Sequence, residues 1–418
     1  MAEGLIVNPC LQFQPYFDDP NSFLLYAPKP GSGMKYLVVT RAEHPNVFEV
    51  FSDLSRLRFD FLDPDLDLND SDRNLLIDNG VLVDAANPPK LPLFSCSLSD
   101  FDPVKGDVNI RSLIAHPGIR FSPFDLANFH TVSQELHISP LTASVWIKDV
   151  VTGIEQGIWL SPDEAEVVSK LAAGLPPDHP IDIEIVRRLI SADILVDSLE
   201  FQNRSDRRRA EIDTARSKFE EDRYSVLKGL FSPQQMRAMR DYYRAYVANG
   251  FMPFGDEQVE HRYREHNEPF ARLLQNQFAG LMSQVAGVEL KLSYVYAATY
   301  VGGSILAPHI DREQCAYSIS FQVDYEPEPS DGVSPWAIFV TPLQDSDKIA
   351  AGREAVTLAE CESQAAAAAS TAINLACGDG LFYKGCELIH YRNELPVGHR
   401  STSLFFHFVS ADFDGPLD

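Results

Sequence analysis

The sequence lacks the hallmarks of membrane proteins and of secreted disulfide-rich proteins. No run of apolar residues approaches the ~18 needed to span a bilayer, and the opening stretch MAEGLIVNPCLQFQPYFDDP has neither the basic start nor the apolar core of a secretory signal. Only six cysteines occur in 418 residues, and none forms a Cys-x-x-Cys pair. Neither a disulfide framework nor a zinc motif is therefore predicted. These absences predict a cytoplasmic protein with reduced thiols and no membrane partner.

Basic residues are also scarce relative to acidic ones. The 35 Lys and Arg against 60 Asp and Glu give a formal net charge of −25. An acidic surface repels phosphate backbones, so nucleic acid is not predicted as a partner. The one basic cluster, Arg204 with Arg207, Arg208 and Arg209, is followed at once by acidic residues and is typical of the exposed face of a charged helix.

What the chain does contain is enough apolar sequence for a substantial core. Its hydrophobic fraction of 45% and charged fraction of 23% are ordinary for a globular protein. Helical periodicity dominates up to about residue 290, where a period of two begins in runs such as LKLSYVYAATYV, AYSISFQVDY and STSLFFHFV. Helices followed by strands, without βαβ alternation, predict an α+β protein whose C-terminal part is an antiparallel barrel or jelly roll packed against helices.

The N-terminal half contains an internal repeat. Residues 62–84 and 175–197 share eight identities in 23 positions, and both end in an apolar strand with the letters Leu-Val-Asp. Helix, turn, helix and strand predict two winged-helix-like modules, at about 30–100 and 140–200, within an N-terminal region of residues 1–200. Chance similarity of short helix–strand units is the alternative. A charged helical linker (201–224) then leads to a C-terminal domain (225–418).

The stretch LAPHIDREQCAYSIS places His309 and Asp311 two residues apart on a predicted strand, so that both side chains point the same way. Such a pair is a hydrogen-bonded pair, a base with its orienting carboxylate, or two ligands of one metal. His390, at the end of a later strand, favours the metal. Two histidines and one carboxylate that leave coordination positions open are typical of non-haem Fe(II) oxygenases.

Residues 225–410 resemble the Fe(II)/2-oxoglutarate-dependent dioxygenases of the prolyl-4-hydroxylase type. The resemblance rests on the order His-x-Asp, His and Arg, on the Gly-His-Arg letters at 398–400 and on the Tyr-Val-Gly-Gly letters at 300–303. It implies a double-stranded β-helix and a hydroxylase that uses Fe(2+), 2-oxoglutarate and O2. The metal ligands that it implies are His309, Asp311 and His390.

The same resemblance implies which residues bind the co-substrate. Arg400, ten residues after His390, matches the basic residue that pairs with the distal carboxylate of 2-oxoglutarate, a task that suits a guanidinium fork. Thr402 on the same strand face adds a hydroxyl, and Tyr300 a phenol. Arg392 is a competing anion partner, although a strand that ends at His390 would leave it on the rim.

The remaining histidines are predicted to be structural. His407 lies deep in the last strand, and His399 lies on the strand face opposite to Arg400. The stretch EQVEHRYREHNEP is interpreted as helical, which puts His261 and His266 on different helix faces and argues against a second metal site there.

The sequence leaves the substrate open. In one hypothesis the N-terminal modules hold a peptide or protein by adding its strand to an exposed sheet edge, and the C-terminal domain hydroxylates it. In the other, the N-terminal half is a structural or homodimerising platform and the substrate is a small metabolite or natural product. A third hypothesis is an inactive barrel that serves as a binding protein.

Overall fold

The structure, a computed structural model, describes residues 5–15, 19–52, 68–90, 92–123, 143–172, 182–343 and 356–417. Within these ranges the chain forms two small α/β modules, one long helix and a two-sheet barrel with its own helices. None of the helices in these ranges has both the length and the apolar character needed to cross a bilayer.

The first unit, module A, contains a three-stranded antiparallel sheet, two helices and a closing strand pair. Its apolar core is formed by one face of the sheet and the helices that pack on it. Strand β1 pairs with β5 and so joins the two ends of the module. The elements are β1 (Leu5–Val7), β2 (Gln12–Pro15), β3 (Ser22–Lys29), β4 (Gly33–Thr40), α1 (Pro45–Ser52), α2 (Asp70–Asp78) and β5 (Leu82–Asp84).

The second unit, module B, repeats this element order. Its second helix and its closing strand lie 113 residues after their counterparts in module A, which is the offset of the sequence repeat. The elements are β6 (Leu113–Ala115), β7 (Ile119–Pro123), β8 (Ala143–Lys148), β9 (Glu155–Leu160), α3 (Pro162–Ala172), α4 (Ile183–Ser191) and β10 (Leu195–Asp197). Strand β10 pairs with β6.

The modules begin earlier than the sequence predicts, because β1 and β6 belong to them through pairing with strands about 80 residues further along the chain. Local periodicity carries no signal for such pairing. The predicted helix, turn, helix and strand are present where the structure describes them, but a three-stranded sheet precedes them in each module. Winged-helix character stays a prediction.

The predicted charged linker is helix α5 (Ser198–Asp222). Asp197 caps its first turn by accepting from the backbone N–H groups of Leu199 and Glu200. The helix packs against the barrel domain rather than standing free, because Ile212 and Phe219 are buried in that domain's core.

The C-terminal domain is a jelly roll of two antiparallel sheets. Eight consecutive strands form the two sheets, with β13, β15, β18 and β20 in the larger sheet and β14, β16, β17 and β19 in the smaller one. Their bounds are β13 (Leu290–Val301), β14 (Leu306–His309), β15 (Tyr317–Glu326), β16 (Ile338–Pro342), β17 (Thr371–Ile373), β18 (Gly380–Tyr383), β19 (Leu388–Arg392) and β20 (Arg400–Ser410). The larger sheet has the order β11-β18-β15-β20-β13-β12, with β11 at Tyr224–Leu227 and β12 at Arg262–His266. The smaller has the order β14-β19-β16-β17.

Helices cover the outer face of the larger sheet. These are α6 (Pro233–Ala248) and α7 (Pro269–Ala286), while α8 (Leu358–Ala367) lies near β14. Side chains of β13, β15 and β20 that point outward, such as Val295, Phe321 and Phe406, form the main core with these helices. The alternate side chains point between the two sheets. The apolar core and the interior of the barrel are therefore opposite faces of the same strands.

Candidate active site

Two histidines face each other across neighbouring strands of the smaller sheet. His309 ends β14 and is the register partner of His390 on β19. Their ring centroids are 4.3 Å apart, and both residues are buried. Asp311 follows two residues after His309, and its backbone N–H donates to the Gly385 carbonyl over 2.9 Å, which fixes the turn out of the strand.

The three side chains form one compact cluster. The Asp311 Oδ1 atom lies 3.5 Å from Nε2 of His390 and 3.9 Å from Nε2 of His309. One ligand atom from each of the three residues lies within 4.8 Å of the others, a span that a single metal ion can bridge. The structure thus brings together the three residues that the sequence predicts as metal ligands.

Backbone carbonyls set the tautomer of both imidazoles. Nδ1 of His309 lies 2.8 Å from the Ala307 carbonyl, and Nδ1 of His390 lies 3.0 Å from the Leu388 carbonyl. A carbonyl can only accept, so each Nδ1 carries the hydrogen and Nε2 presents its lone pair to the cluster. This is the arrangement by which metal-binding histidines are usually oriented.

Asp311 supplies the charge of the cluster. Burial raises the pKa of this carboxyl, but the neighbouring histidines, above all His390, outweigh burial and hold the pKa below its usual value. Its second oxygen, Oδ2, is buried and has no hydrogen-bond partner in the described part of the chain. A side chain on Gly385 would lie 2.4 Å from that oxygen, so only glycine fits there. A buried, orphaned carboxylate oxygen beside two oriented imidazoles fits a divalent metal such as Fe(2+).

Arg392 lies inside the barrel rather than on its rim. The predicted end of the strand at His390 is wrong, because β19 continues to Arg392, whose side chain lies on the same strand face as that of His390. Arg392 is 2% exposed; its guanidinium lies 4.3 Å above the Trp336 ring and donates to the Trp336 carbonyl. Burial lowers its pKa to about 10, and Nη2 has no hydrogen-bond partner among the described residues.

The structure does not bring Arg400 and Thr402 to the cluster. The Arg400 side chain is 39% exposed and lies 3.7 Å from the Glu326 carboxylate. Thr402 is buried against Thr299, with 2.9 Å between the two hydroxyl oxygens. Both residues have the strand parity of Phe406, which faces the helices. The apolar letters of β20 do not reveal which parity faces inward.

Tyr300 lies within the barrel, as the resemblance implies. It is 1% exposed, and its ring contacts Trp336 edge-on with the centroids 5.0 Å apart. Its hydroxyl accepts a hydrogen bond of 3.3 Å from Arg262. Tyr300 and Arg392 therefore both contact Trp336.

A cavity of about 520 Å³ opens onto the cluster. Aromatic side chains, among them Tyr294, Tyr296 and Phe405, form much of its wall, and Gln258 and Arg262 contribute polar groups. A second cavity of about 670 Å³ lies between module B and α5 and contains none of the three clustered residues.

Two features of the cavity at the His309, Asp311 and His390 cluster were not predicted from the sequence. His407, which was predicted to be structural, lines the wall; burial lowers its pKa to about 4, and its Nδ1 lies 2.8 Å from the Ser318 hydroxyl. The stretch interpreted as a helix contains strand β12, and Arg262 of this strand faces the cavity. The alternation of the letters Arg-Tyr-Arg was a signal for a strand that the helical interpretation overlooked.

Comparisons with known proteins give structural matches alone. No protein-family model matches the chain, and no curated protein matches it in sequence. Similar solved structures include the non-haem, alpha-ketoglutarate-dependent epimerase SnoN of nogalamycin biosynthesis (15% identity, TM-score 0.40, 49% of this chain and 84% of that one). Others are a prolyl-4-hydroxylase of Pseudomonas putida (13%, 0.35, 48% and 98%) and HygX of Streptomyces hygroscopicus with nickel and 2-oxoglutarate bound (16%, 0.34, 49% and 88%).

Each of these matches covers about half of the chain. Their low identities and TM-scores do not transfer an activity or a substrate. The function has to be argued from the side chains of the site itself.

Proposed function

We propose that this protein is an Fe(II)- and 2-oxoglutarate-dependent oxygenase that hydroxylates an unactivated C–H bond. The observation that supports it is the buried cluster of His309, Asp311 and His390, with both imidazoles oriented by carbonyls and one carboxylate oxygen orphaned. Three protein ligands leave coordination positions for a chelating co-substrate and for dioxygen. A closed structural metal site would supply a fourth protein ligand.

Arg392 is the anchor for the distal carboxylate of 2-oxoglutarate in this proposal, in place of Arg400. Alternate residues on one strand face are about 7 Å apart, so His390 and Arg392 suit the two ends of a short dicarboxylate. A buried guanidinium without a carboxylate nearby is unfavourable unless an anion binds to it. Arg400, by contrast, already has Glu326 beside it at the surface.

The chain's own residues then have distinct tasks. His309, Asp311 and His390 hold the metal, which with 2-oxoglutarate and O2 supplies the oxidising power for the hydroxylation. Because the pKa of Asp311 is held low, its carboxylate is ionised at neutral pH. Arg392 and Tyr300 fix the inner end of the co-substrate, and the aromatic wall of the cavity keeps water from the reacting C–H bond.

The test of the reaction class is conversion of 2-oxoglutarate to succinate by the full chain with Fe(II) in air, without added substrate. We expect slow turnover that requires the metal and O2. The matched control is the Zn(II)-loaded chain, because zinc accepts the same ligands but has no redox chemistry. Fe(II) binding in a one-to-one ratio without any succinate would contradict the oxygenase proposal and favour the binding-protein alternative.

For the substrate we infer an extended peptide. The observation that supports this is that the outer edge of the three-stranded sheet is occupied in module B and not in module A. In module B the outer edge of β9 is occupied: Trp159 donates its backbone N–H to the Cys96 carbonyl over 2.8 Å, and Ser97 bridges Trp159 in parallel. A segment of the chain itself has thus added to the sheet edge. The equivalent strand of module A is β4.

The outer edge of β4 has no such partner among the described residues. An edge strand without a partner can receive another strand. The side chains of Tyr36 and Val38, on the sheet face away from the core, are 64% and 47% exposed and so are open to contact with such a strand. The edge also borders the catalytic half, because a side chain on Gly33 would lie 2.5 Å from the Pro253 backbone. A peptide on β4 therefore lies beside the segment that leads to the cavity.

The β4 proposal is tested with Tyr36→Asp and Val38→Asp, changes at exposed positions that leave the module core intact. The probe is the peptide fraction of a cell extract treated with Fe(II) and 2-oxoglutarate, with mass spectrometry of products that gain one oxygen atom. We expect oxidised peptides with the wild type, and about tenfold fewer with either variant, since recruitment raises the effective concentration of the peptide. Leu199→Asp, at a 69% exposed position of α5, is the matched control.

One outcome would contradict recruitment by β4, and another would contradict the peptide substrate itself. Equal peptide oxidation by the wild type and both variants would show that β4 takes no part in recruitment. Oxidation of small molecules alone, unaffected by the variants, would favour the small-metabolite alternative with a structural or dimerising N-terminal half.

A further inference from the structure

A hairpin outside the barrel strands carries a polar side chain to the metal-binding cluster. The residues 253–264 fold back on themselves, with the Gly255 N–H donating to the Arg262 carbonyl over 2.7 Å and the Arg264 N–H donating to the Pro253 carbonyl over 3.1 Å. Gln258 lies near the tip, and its amide nitrogen is 3.4 Å from Nε2 of His309. This is the nitrogen that the proposed function assigns to the metal.

Arg262 fixes the orientation of that amide. Its Nη2 donates to the Gln258 Oε1 over 3.0 Å. A guanidinium has donors only, so the amide oxygen must face Arg262 and the NH2 group must face the cluster. A flipped amide would place its NH2 group against the guanidinium N–H donors of Arg262 and would lose the hydrogen bond to Oε1.

Arg262 is itself held rigidly. It is 4% exposed, and its Nε donates to the Asp256 carboxylate over 2.7 Å. The Tyr296 hydroxyl donates to the same Asp256 oxygen over 3.0 Å. The guanidinium also donates to the Tyr300 hydroxyl. The Asp256–Arg262 ion pair therefore orders both Gln258 and Tyr300.

We propose that Gln258 is a positioning residue that donates a hydrogen bond from its amide to the metal-chelating carboxylate of 2-oxoglutarate, with Arg262 as its clamp. The inference rests on the proposed function. His309 cannot keep both a metal and the Gln258 amide on one nitrogen lone pair, so metal binding redirects the amide to the nearest acceptor. An oxygen bound to the metal beside His309 is within its reach, and its negative charge makes the hydrogen bond a strong one.

The experiment is an anaerobic titration of 2-oxoglutarate into the Fe(II)-loaded full chain, followed by the visible charge-transfer absorption of the chelate. We expect Gln258→Ala to weaken 2-oxoglutarate binding about tenfold or more, the usual effect of losing a hydrogen bond to a charged group. Gln258→Glu should weaken it further, because a carboxylate repels the anion. The absorption maximum should also shift in both variants, which a merely structural role would not cause.

Arg262→Lys provides an independent variant, because it keeps the charge beside Asp256 but loses the fork that orients the amide. It should weaken 2-oxoglutarate binding in the same direction and to a smaller extent than Gln258→Ala. Gln284→Ala is the matched control, since Gln284 is an exposed glutamine of α7 distant from the cavity. Fe(II) affinity should stay within about twofold in Gln258→Ala and Gln284→Ala, because neither glutamine is a ligand.

The outcomes distinguish a failure of the role of Gln258 from a failure of the proposed function. Wild-type binding of Fe(II) and 2-oxoglutarate together with unchanged affinity and absorption in Gln258→Ala and Gln258→Glu would overturn the role of Gln258 alone. A wild-type chain that binds no 2-oxoglutarate in the presence of Fe(II) would overturn the proposed function and this inference together.

Discussion

The N-terminal modules and the C-terminal barrel differ in what they bury. The interior of module A consists of apolar side chains such as Leu25, Val39 and Leu76, and its helices and sheet pack around them. The interior of the barrel, between its two sheets, buries polar and charged side chains such as His390 and Arg392. The outer face of the larger sheet, under α6 and α7, is apolar in the manner of the modules, and smaller apolar clusters lie elsewhere in the barrel domain.

This difference separates stability from function. Burying polar groups costs free energy unless each one is paired, so a polar interior does not arise from folding requirements alone. The barrel is held together by the core that its outer face forms with the helices, and its inner face is left for chemistry.

The largest expected effect comes from removing the barrel's metal ligands. His309→Ala, Asp311→Ala or His390→Ala should abolish succinate formation, with losses of more than a hundredfold, while circular dichroism and the midpoint of thermal unfolding stay close to the wild type. His309 and His390 lie on paired strands, and Asp311 is held by the hydrogen bond from its backbone N–H to the Gly385 carbonyl, so other contacts already hold all three in place. Near wild-type turnover in any of the three variants would refute the assignment of the cluster.

The next effect distinguishes the buried arginine from the exposed one. Arg392→Met should weaken 2-oxoglutarate binding by two to four decades, because losing one partner of a buried ion pair costs about 3–5 kcal/mol. Arg400→Met should change it by less than about fivefold, as expected of a surface ion pair worth ~0–1 kcal/mol. Calorimetric titration of both metal-loaded variants measures this, and the reverse ranking would restore Arg400 as the anchor.

A third prediction concerns stability rather than activity. Leu189→Ala in module B, a fully buried position, should lower the free energy of unfolding by about 2–5 kcal/mol. Ser320→Ala on the barrel's inner face should leave it unchanged or raise it, because the buried Ser320 hydroxyl has no hydrogen-bond partner in the described ranges. Denaturant unfolding curves compare the two. If Ser320→Ala lowered the free energy of unfolding as much as Leu189→Ala does, the polar interior of the barrel and the apolar interior of the module would contribute equally to stability, contrary to this prediction.

The smallest expected effect is a pH dependence of the free energy of unfolding that arises from Glu265 on strand β12. Burial, and then the nearby Glu268, raise the pKa of Glu265 from 4.5 to about 7. A carboxyl whose pKa is raised on folding contributes stability below pH 4.5, and that contribution is lost as the pH rises to 7. Glu265→Gln should therefore gain stability relative to the wild type across this interval. Thermal unfolding of both proteins at pH 4.5 and pH 7 measures it, and a constant difference would contradict the shifted pKa.

The sequence predicted those parts of the site that depend on short spacing. His309 and Asp311 are two residues apart, and His390 completes the ligand set that the resemblance implies. The predicted strand through both residues is wrong, because β14 ends at His309, but the turn that follows keeps the Asp311 carboxylate beside both imidazoles. The offset of 113 residues between the modules was likewise legible, because the repeated letters are local.

Features that depend on strand ends and long-range pairing were not predicted. Ending β19 two residues early put Arg392 on the rim, and the apolar run of β20 gave no indication that Arg400 and Thr402 face the helices. Gln258 and Arg262 were missed because the polar hairpin that carries them has no periodic apolar signal. Its shape comes from the Asp256–Arg262 ion pair and from pairing with β13.

The most direct test of the central claim is the visible absorption of the anaerobic wild-type chain with Fe(II) and 2-oxoglutarate. An Fe(II)/2-oxoglutarate site inside the barrel predicts a charge-transfer band that requires both Fe(II) and 2-oxoglutarate. The band should saturate at one equivalent of Fe(II) and be absent in His390→Ala. A chain that gives no band, or a band that is equally strong in His390→Ala, would contradict the assignment of the barrel interior as an Fe(II)/2-oxoglutarate site.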